Sequence, residues 1–221
     1  SRAIIAMTQM KKTLLIFLPA IAIIAIAIFI RVVQFQNGSN DRADINTQQG
    51  ALTIPILADD PIIGNKKAPI TIIAFEDLGC SHCAEVDQTF SELTAAYPKQ
   101  VKIIWKSLTV TRFPHDARPA HTLSFCANRQ RKFEEFKSLA FANYQQLTPF
   151  VLEQIINDAD LNTPKLERCA GTEEPELYLK KNEAIARSLG IQAVPAIFVD
   201  GQQVQSLSTV QEWEQFLGLL N

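Results

Sequence analysis

ITIIAFEDLGCSHC, residues 70–83, carries a continuous apolar and β-branched run into two cysteines separated by two residues. A run of this kind, bounded by turn residues, reads as a strand buried on both faces, the habit of a central strand in a sheet. From Ser81 to Tyr97 the period changes. Val86, Phe90, Leu93 and Tyr97 recur at helical spacing and define one inward face. VKIIWK, residues 101–106, is again strand-like. Strand, helix and strand of these lengths make a βαβ unit, in which the two strands run parallel and the crossover is right-handed.

The chemistry sits at the first junction of that unit. Cys80 closes the strand and opens the helix, where unpaired N–H groups and the helix dipole favour an anion. A thiol in that setting has a lowered pKa. Cys83 lies one turn further in, placed to close a small disulfide ring, and His82 can supply a charge or a hydrogen bond beside the thiolate. A stabilised thiolate stabilises the reduced pair and makes its disulfide a stronger oxidant. A zinc site would need a second paired ligand set, whereas the remaining cysteines, Cys126 and Cys169, are single and far apart in sequence. A static staple and a chance pair are the other readings. A strand–helix junction is a poor place for a staple, so the pair points to redox chemistry.

Working outward, residues 52–57 suggest a short strand and residues 61–69 (PIIGNKKAP) a turn-rich connection. Residues 116–189 read as helical, with Thr148-Pro149 and Thr163-Pro164 as N-cap and N1 pairs. Gly190 suits a helix C′ position. Residues 196–199, Asp200-Gly201 and residues 203–205 form a tight hairpin. Ser208 and Gln211 have the spacing of a capping box for a last helix that turns Val210, Trp213, Phe216 and Leu217 inward. Trp105 and Trp213 read as core residues, and His115 and His121 as surface or capping residues without ligand spacing. Cys126 and Cys169 fall in predicted helices, as small buried hydrophobes if free.

The chain has 221 residues and a net charge of −2, with no basic footprint for nucleic acid. Its mean hydropathy of +0.04 is high for a soluble protein. The excess lies in one place: Thr13 to Ile30 is eighteen residues without a charge, sixteen of them apolar. Such a run spans a bilayer at ~1.5 Å per residue. Arg2, Lys11 and Lys12 precede it without an acid, which places the N-terminus inside. Residues 1–33 therefore read as an uncleaved membrane anchor, or as a signal peptide cut near Ala25-Ile-Ala27. Residues 34–50 form a polar linker, and residues 51–221 an extracytoplasmic domain where disulfides persist.

The motif FEDLGCSHC, with DPIIGNKKAP upstream (residues 60–69), HTLSFCANRQRKFEEFKSLAFAN (residues 121–143), AIARSLG (residues 184–190) and GIQAVPAIFVDG (residues 190–201), resembles the DsbA-like branch of the thioredoxin superfamily, in its membrane-anchored or secreted bacterial form. The resemblance runs from about residue 55 to 220. It implies an α/β thioredoxin fold with an inserted helical domain at about 114–189, preceded by one N-terminal transmembrane helix. It further implies that Cys80 and Cys83 are catalytic, with His82 tuning Cys80. Pro195 would be cis and Val194 would pair with a substrate strand, where a trans edge proline is the plain alternative. Cys126 and Cys169 would be paired as a structural disulfide. No metal or organic cofactor is implied beyond the cysteine pair. The implied activity is oxidation of reduced, unfolded secreted proteins, with reoxidation by a membrane quinone-linked partner and a bilayer contact through the N-terminal helix. Two alternatives stay open: a disulfide reductase or isomerase, and a non-catalytic peptide-binding protein with the same fold. One departure stands out. Members of this family carry a buried glutamate six residues before the first cysteine, and here that residue is Ala74. Glu76, on the same side of the strand, or water would have to move the proton instead.

Overall fold

The computed structural model describes residues 53–219, together with the helical positions Ile26 and Phe29. The anchor and linker expected over residues 1–50 lie outside the described residues, among which no helix is long and apolar enough to cross a membrane.

The central strand is the one quoted above. β1 (Ile62–Gly64), β2 (Ile70–Glu76), α1 (Ser81–Ala96), β3 (Val101–Ser107), α2 (Arg118–Arg129), α3 (Phe133–Ala142), α4 (Pro149–Asp158), α5 (Thr163–Ala170), α6 (Glu174–Ser188), β4 (Ala196–Val199), β5 (Gln202–Val204) and α7 (Val210–Phe216) follow in chain order. Among the described residues the strands form one sheet in the order β1-β3-β2-β4-β5. β2 pairs parallel with β3, with Ala74 opposite Trp105 and Glu76 opposite Ser107, and antiparallel with β4. All other pairings are antiparallel.

The two-residue period of the strands sorts the core into two faces. Ile72 and Ala74 of β2, Ile103 and Trp105 of β3, and Ile197 and Val199 of β4 join the larger cluster, with Cys83, Val86, Phe90 and Leu93 of α1 and the apolar faces of α2 to α5. Phe75, Ala196 and Phe198 point the other way and pack with Leu108 and Ala186. The edge at the amino end differs from expectation. No strand forms at residues 53–57; the edge strand is Ile62–Gly64, inside the stretch read as turns. Its register is held by Ile62 opposite Ile104, and the Trp105 amide donates to the Pro61 carbonyl at 3.0 Å.

Most helix boundaries follow local chemistry. Thr148 caps α4 by accepting from the Val151 amide. The cap of α5 is Asn162, one residue before the expected Thr163, and it accepts from Lys165 N–H. The capping box of α7 uses Thr209 and Glu212, again displaced by one from Ser208 and Gln211. In that helix Trp213 is fully buried as expected, whereas Phe216, expected inward, is 50% exposed. Gly190 adopts φ +68° after α6, and Asp200 and Gly201 both take positive φ in the two-residue turn joining β4 to β5, the geometry of a type I′ hairpin.

Cys126 of α2 and Cys169 of α5 are joined by a disulfide, with their Cα atoms 5.8 Å apart. Closing a loop with a sequence separation of 43 restricts the unfolded chain by about 4 kcal/mol on a chain-entropy estimate. Replacing both cysteines with alanine is expected to lower unfolding stability by roughly 2–4 kcal/mol, read in urea unfolding as a lower midpoint with a steeper slope, because the released unfolded chain exposes more surface.

Candidate active site at the β2–α1 junction

Cys80 is the N-cap of α1, in extended backbone conformation, and its Sγ accepts the Cys83 amide N–H at 3.3 Å. Both residues are free thiols; Cys80 is half-buried and Cys83 fully buried. The Cys80 pKa falls to about 6. The hydrogen bond from the Cys83 thiol is the main cause, with the backbone amides of Cys83 and His82 adding to it against burial and the Asp77 charge. Burial pushes the Cys83 thiol far above its usual range, helped by its bond to Cys80 and by the nearby Glu76 carboxyl. The two sulfurs are thus driven apart in acidity, the exposed one toward thiolate and the inner one toward thiol.

The ring of His82 is turned to solvent, with Nδ1 3.0 Å from Glu85 Oε2, and its backbone N–H faces Cys80. On the opposite side of the sulfur, the Val194–Pro195 peptide is cis, and Cys80 Sγ lies 3.8 Å from the Val194 carbonyl oxygen.

Asp77 organises the turn. Its Oδ1 accepts from the Gly79 amide at 2.9 Å, and its Oδ2 accepts from the Val110 and Thr111 amides, each at 2.6 Å. His121 of α2, expected at the surface, is fully buried beside it. His121 Nε2 lies 3.0 Å from the Leu78 amide nitrogen and 3.2 Å from Asp77 Oδ1; the neutral ring accepts from the amide, and the charged ring donates to the carboxylate. Nδ1 faces the Ser107 hydroxyl. Against burial, these bonds hold the Asp77 carboxyl at about 2. Gly79 is required by packing: a Cβ there would meet Thr111 Cβ and Cγ2 at 2.9 Å and Ala117 Cβ at 3.1 Å. The loop so pinned carries a second cis peptide, Phe113–Pro114, and exposes Val110 and Phe113.

Beneath the cysteines, Glu76 is 1% exposed. Its Oε2 accepts Trp105 Nε1–H at 2.6 Å, and its Oε1 has no hydrogen-bond partner among the described residues. Burial, reinforced by Asp87, raises its pKa to about 8, so it holds a proton at neutral pH. Glu76, one of the two routes left open at Ala74, thus lies on the cysteine face of the sheet. Asp87 of α1 and Lys137 of α3 form a buried ion pair nearby. The strand alternation was a signal for Glu76; nothing local marked Asp77, His121 or Lys137. Among the described residues no group of three or more His, Cys, Asp or Glu side chains is arranged to hold a metal ion.

The thiolate fraction of Cys80 should rise with a midpoint near pH 6, measured by iodoacetamide alkylation of the reduced protein. Because this pKa is depressed, Cys80 itself contributes stability to the reduced fold that grows as pH rises from 6 toward the ordinary thiol value and is lost as pH falls through 6, while Glu76, raised to about 8, opposes that gain below pH 8. Gly79→Ala should destabilise by roughly 1–3 kcal/mol through overpacking against Thr111, read by urea unfolding.

A family model described as Thioredoxin matches residues 57–218. The described fold is similar to the catalytic domain of Proteus mirabilis ScsC, at 21% identity with a TM-score of 0.66, covering 75% of this chain and 91% of that one. It is also similar to oxidised BdbD from Bacillus subtilis, at 18% identity and a TM-score of 0.65, covering 77% and 98%. Among curated proteins, the Na(+)/H(+) antiporter NhaA 3 of Salinispora tropica is 22% identical over 165 residues, 73% of this chain and 25% of the antiporter. The chain thus spans about a quarter of the length of the curated relatives it matches. With a strand–helix cysteine pair, a cis proline facing it and a family model spanning the described fold, the chain belongs to the thioredoxin family.

Proposed function

We propose that the protein is a thiol:disulfide oxidoreductase acting as an oxidase on reduced, unfolded proteins outside the cytoplasm. The observation that carries the oxidoreductase reading is the asymmetry of the pair: Cys80 at the helix start with a pKa near 6, and Cys83 buried and held as a thiol. A substrate thiolate attacks Cys80 Sγ of the Cys80–Cys83 disulfide. The bond between the two cysteines breaks, a mixed disulfide forms, and Cys83 leaves with the electron pair and takes up a proton. A second substrate thiolate then attacks the substrate sulfur of the mixed disulfide, and Cys80 departs as the stabilised thiolate. Two electrons have passed from substrate to the cysteine pair, which is the redox group itself. Reoxidation falls to a membrane quinone-linked partner.

The Val194 carbonyl beside Cys80 supports a role for Val194 and Pro195 in aligning an extended substrate chain by strand addition. The exposed Val110 and Phe113, on the loop against Gly79, offer apolar surface to such a chain. The apolar run at residues 13–30 supports a single-pass anchor with this domain on the extracytoplasmic side, and the Cys126–Cys169 disulfide fits that compartment. His82, paired with Glu85 at the surface, is assigned the tuning of Cys80 through its backbone amide. A reductase or isomerase is the second reading, favoured by a Cys80 pKa closer to the thioredoxin value of about 7 than to the DsbA value of about 3.5.

Equilibration with glutathione separates these readings. A potential near −120 mV marks an oxidase, and one near −270 mV marks a reductant. In oxidative refolding of a reduced, disulfide-dependent enzyme, Cys80→Ala should abolish catalysis, and Cys83→Ala should accumulate a mixed disulfide through Cys80. A protein that neither exchanges disulfides nor forms that adduct is a binding protein, and the oxidoreductase reading fails.

A further inference from the structure

One nitrogen beside the active-site turn faces two partners that need opposite things of it. His121, in the first turn of α2, is fully buried. Its Nε2 lies 3.0 Å from the Leu78 amide nitrogen, a donor, and 3.2 Å from Asp77 Oδ1, an acceptor. A bare nitrogen serves only the first, and a protonated nitrogen only the second. Nδ1 has no such choice. With its proton on Nδ1 the neutral ring donates to Ser107 Oγ of β3, and the charged ring does the same.

The Leu78 bond matters because of where it falls. Asp77, Leu78, Gly79 and Cys80 form one turn, closed by the Cys80 amide on the Asp77 carbonyl at 3.0 Å. Leu78 is fully buried, and the bond from its amide to His121 ties this turn directly to the helical block. A buried N–H stripped of its acceptor bears its full desolvation penalty. The charged ring is provided for as well. The Asp77 carboxyl is held at about 2, so an imidazolium finds a carboxylate already in place. The Trp105 indole stacks on the His121 ring with centroids 5.6 Å apart, and an aromatic face receives a cation.

The groups around the ring come from each packed element. The end of β2 supplies Asp77, and β3 supplies the Ser107 hydroxyl and the Trp105 indole. Glu76, the preceding acid of β2, is bonded to the indole nitrogen. On α2 itself, Arg118 is turned to Glu176 and Glu183 of α6. Lys137 of α3 is paired with Asp87 of α1. Among the described residues, Asp77 is the charged side chain bonded to the ring.

We propose that His121 is a positioning residue for thiol exchange: with Nε2 bare it holds the Leu78 amide and so fixes the turn that presents Cys80 Sγ, and on taking up a proton there it turns to Asp77, releases Leu78 and slows exchange at Cys80. The change is the gain of one proton at Nε2, with no covalent bond made or broken. Asp77 keeps its bonds to the Gly79, Val110 and Thr111 amides in both states. This rests on the oxidoreductase reading of Cys80 and Cys83.

The test uses the 15N-labelled full chain in its oxidised form, in which Cys80 does not titrate, across about pH 4–8, the range in which histidine changes charge. One readout is the nitrogen resonances of the His121 ring beside the Leu78 amide resonance. The other is the rate of reduction by a small dithiol, corrected for the dithiol's own ionisation. The Leu78 amide should titrate with the His121 ring at one shared midpoint, and the rate should fall roughly tenfold on the acid side of it, as a buried donor loses its acceptor. His121→Gln keeps an acceptor for the Leu78 amide and cannot gain the proton, so its rate should lack the acid step. Glu76 titrates in both proteins, and the difference between them isolates His121. A Leu78 amide that does not follow the ring, or an acid step that persists in His121→Gln, overturns the inference. If His121→Gln does not fold, the resonances and rate of the parent decide it, since both must change at the same midpoint. A parent that exchanges no disulfide at any pH overturns the oxidoreductase reading instead, an outcome distinct from exchange without an acid step.

Discussion

The Asp77 carboxylate is the constraint on which the rest of the site depends. It accepts from three backbone amides, at Gly79, Val110 and Thr111, and faces the His121 ring. These bonds fasten four separate pieces: the end of β2, the turn into α1, the loop after β3 and the first helix of the block. A carboxylate held this way stays ionised far into the acid range, so the fastening does not loosen where the cysteines titrate. Its charge slightly opposes the Cys80 thiolate, yet the hydrogen bonds from Cys83 and the helix amides outweigh it. The turn is held because Asp77 binds it, and acidic at Cys80 because the Cys83 thiol and then the first helix amides donate to the sulfur.

Two buried ion pairs divide the charged interior between the faces of the sheet. Lys106 donates to Asp60 at 2.5 Å on the face of Phe75, where Tyr178 donates to the same carboxylate and Asn182 accepts from the ammonium. That group joins the segment before β1 to β3 and α6, away from the cysteines. Burial lowers the Lys106 pKa, and Asp60 opposes the shift. The Asp87–Lys137 pair lies on the cysteine face, linking α1 to α3. The first pair is tied to Tyr178 and Asn182 away from the cysteines; the second lies on the face of the sheet that carries Glu76 and the cysteines.

The parts legible from sequence are those fixed by neighbours a few residues away. The apolar run at residues 70–75, the helical period of Val86, Phe90 and Leu93, and the Asp200-Gly201 turn all appear where the local pattern places them. Local pattern was too short to register the three-residue edge strand at Ile62–Gly64, whose existence depends on its partner Ile104 and not on its own periodicity. Two caps slipped by one because neighbouring residues, Asn162 beside Thr163 and Thr209 beside Ser208, are equally able to cap. The charged interior escaped for a different reason. Lys106, His121 and Lys137 meet their acids across 46, 44 and 50 residues of sequence, and a buried cation with a distant partner looks like any surface cation until the chain has folded. At the site, the cysteines were announced by their spacing and Glu76 by the strand alternation, whereas Asp77, His121 and Lys137 were not.

The pairing of β2 with β3 has a consequence for how this chain can change. Side chains alternate along β2, so a slip of one residue against its neighbours would turn Glu76 away from the cysteines and bring Phe75 beneath them. Ala74, Glu76 and the turn to Cys80 are thus counted off from one register. Lengthening or shortening the chain between Ile70 and Cys80 by a single residue would misplace the acid while leaving every sequence motif intact. In this stretch the spacing of residues is itself inherited chemistry, and it gives the central strand far less freedom to drift than its plain apolar composition implies.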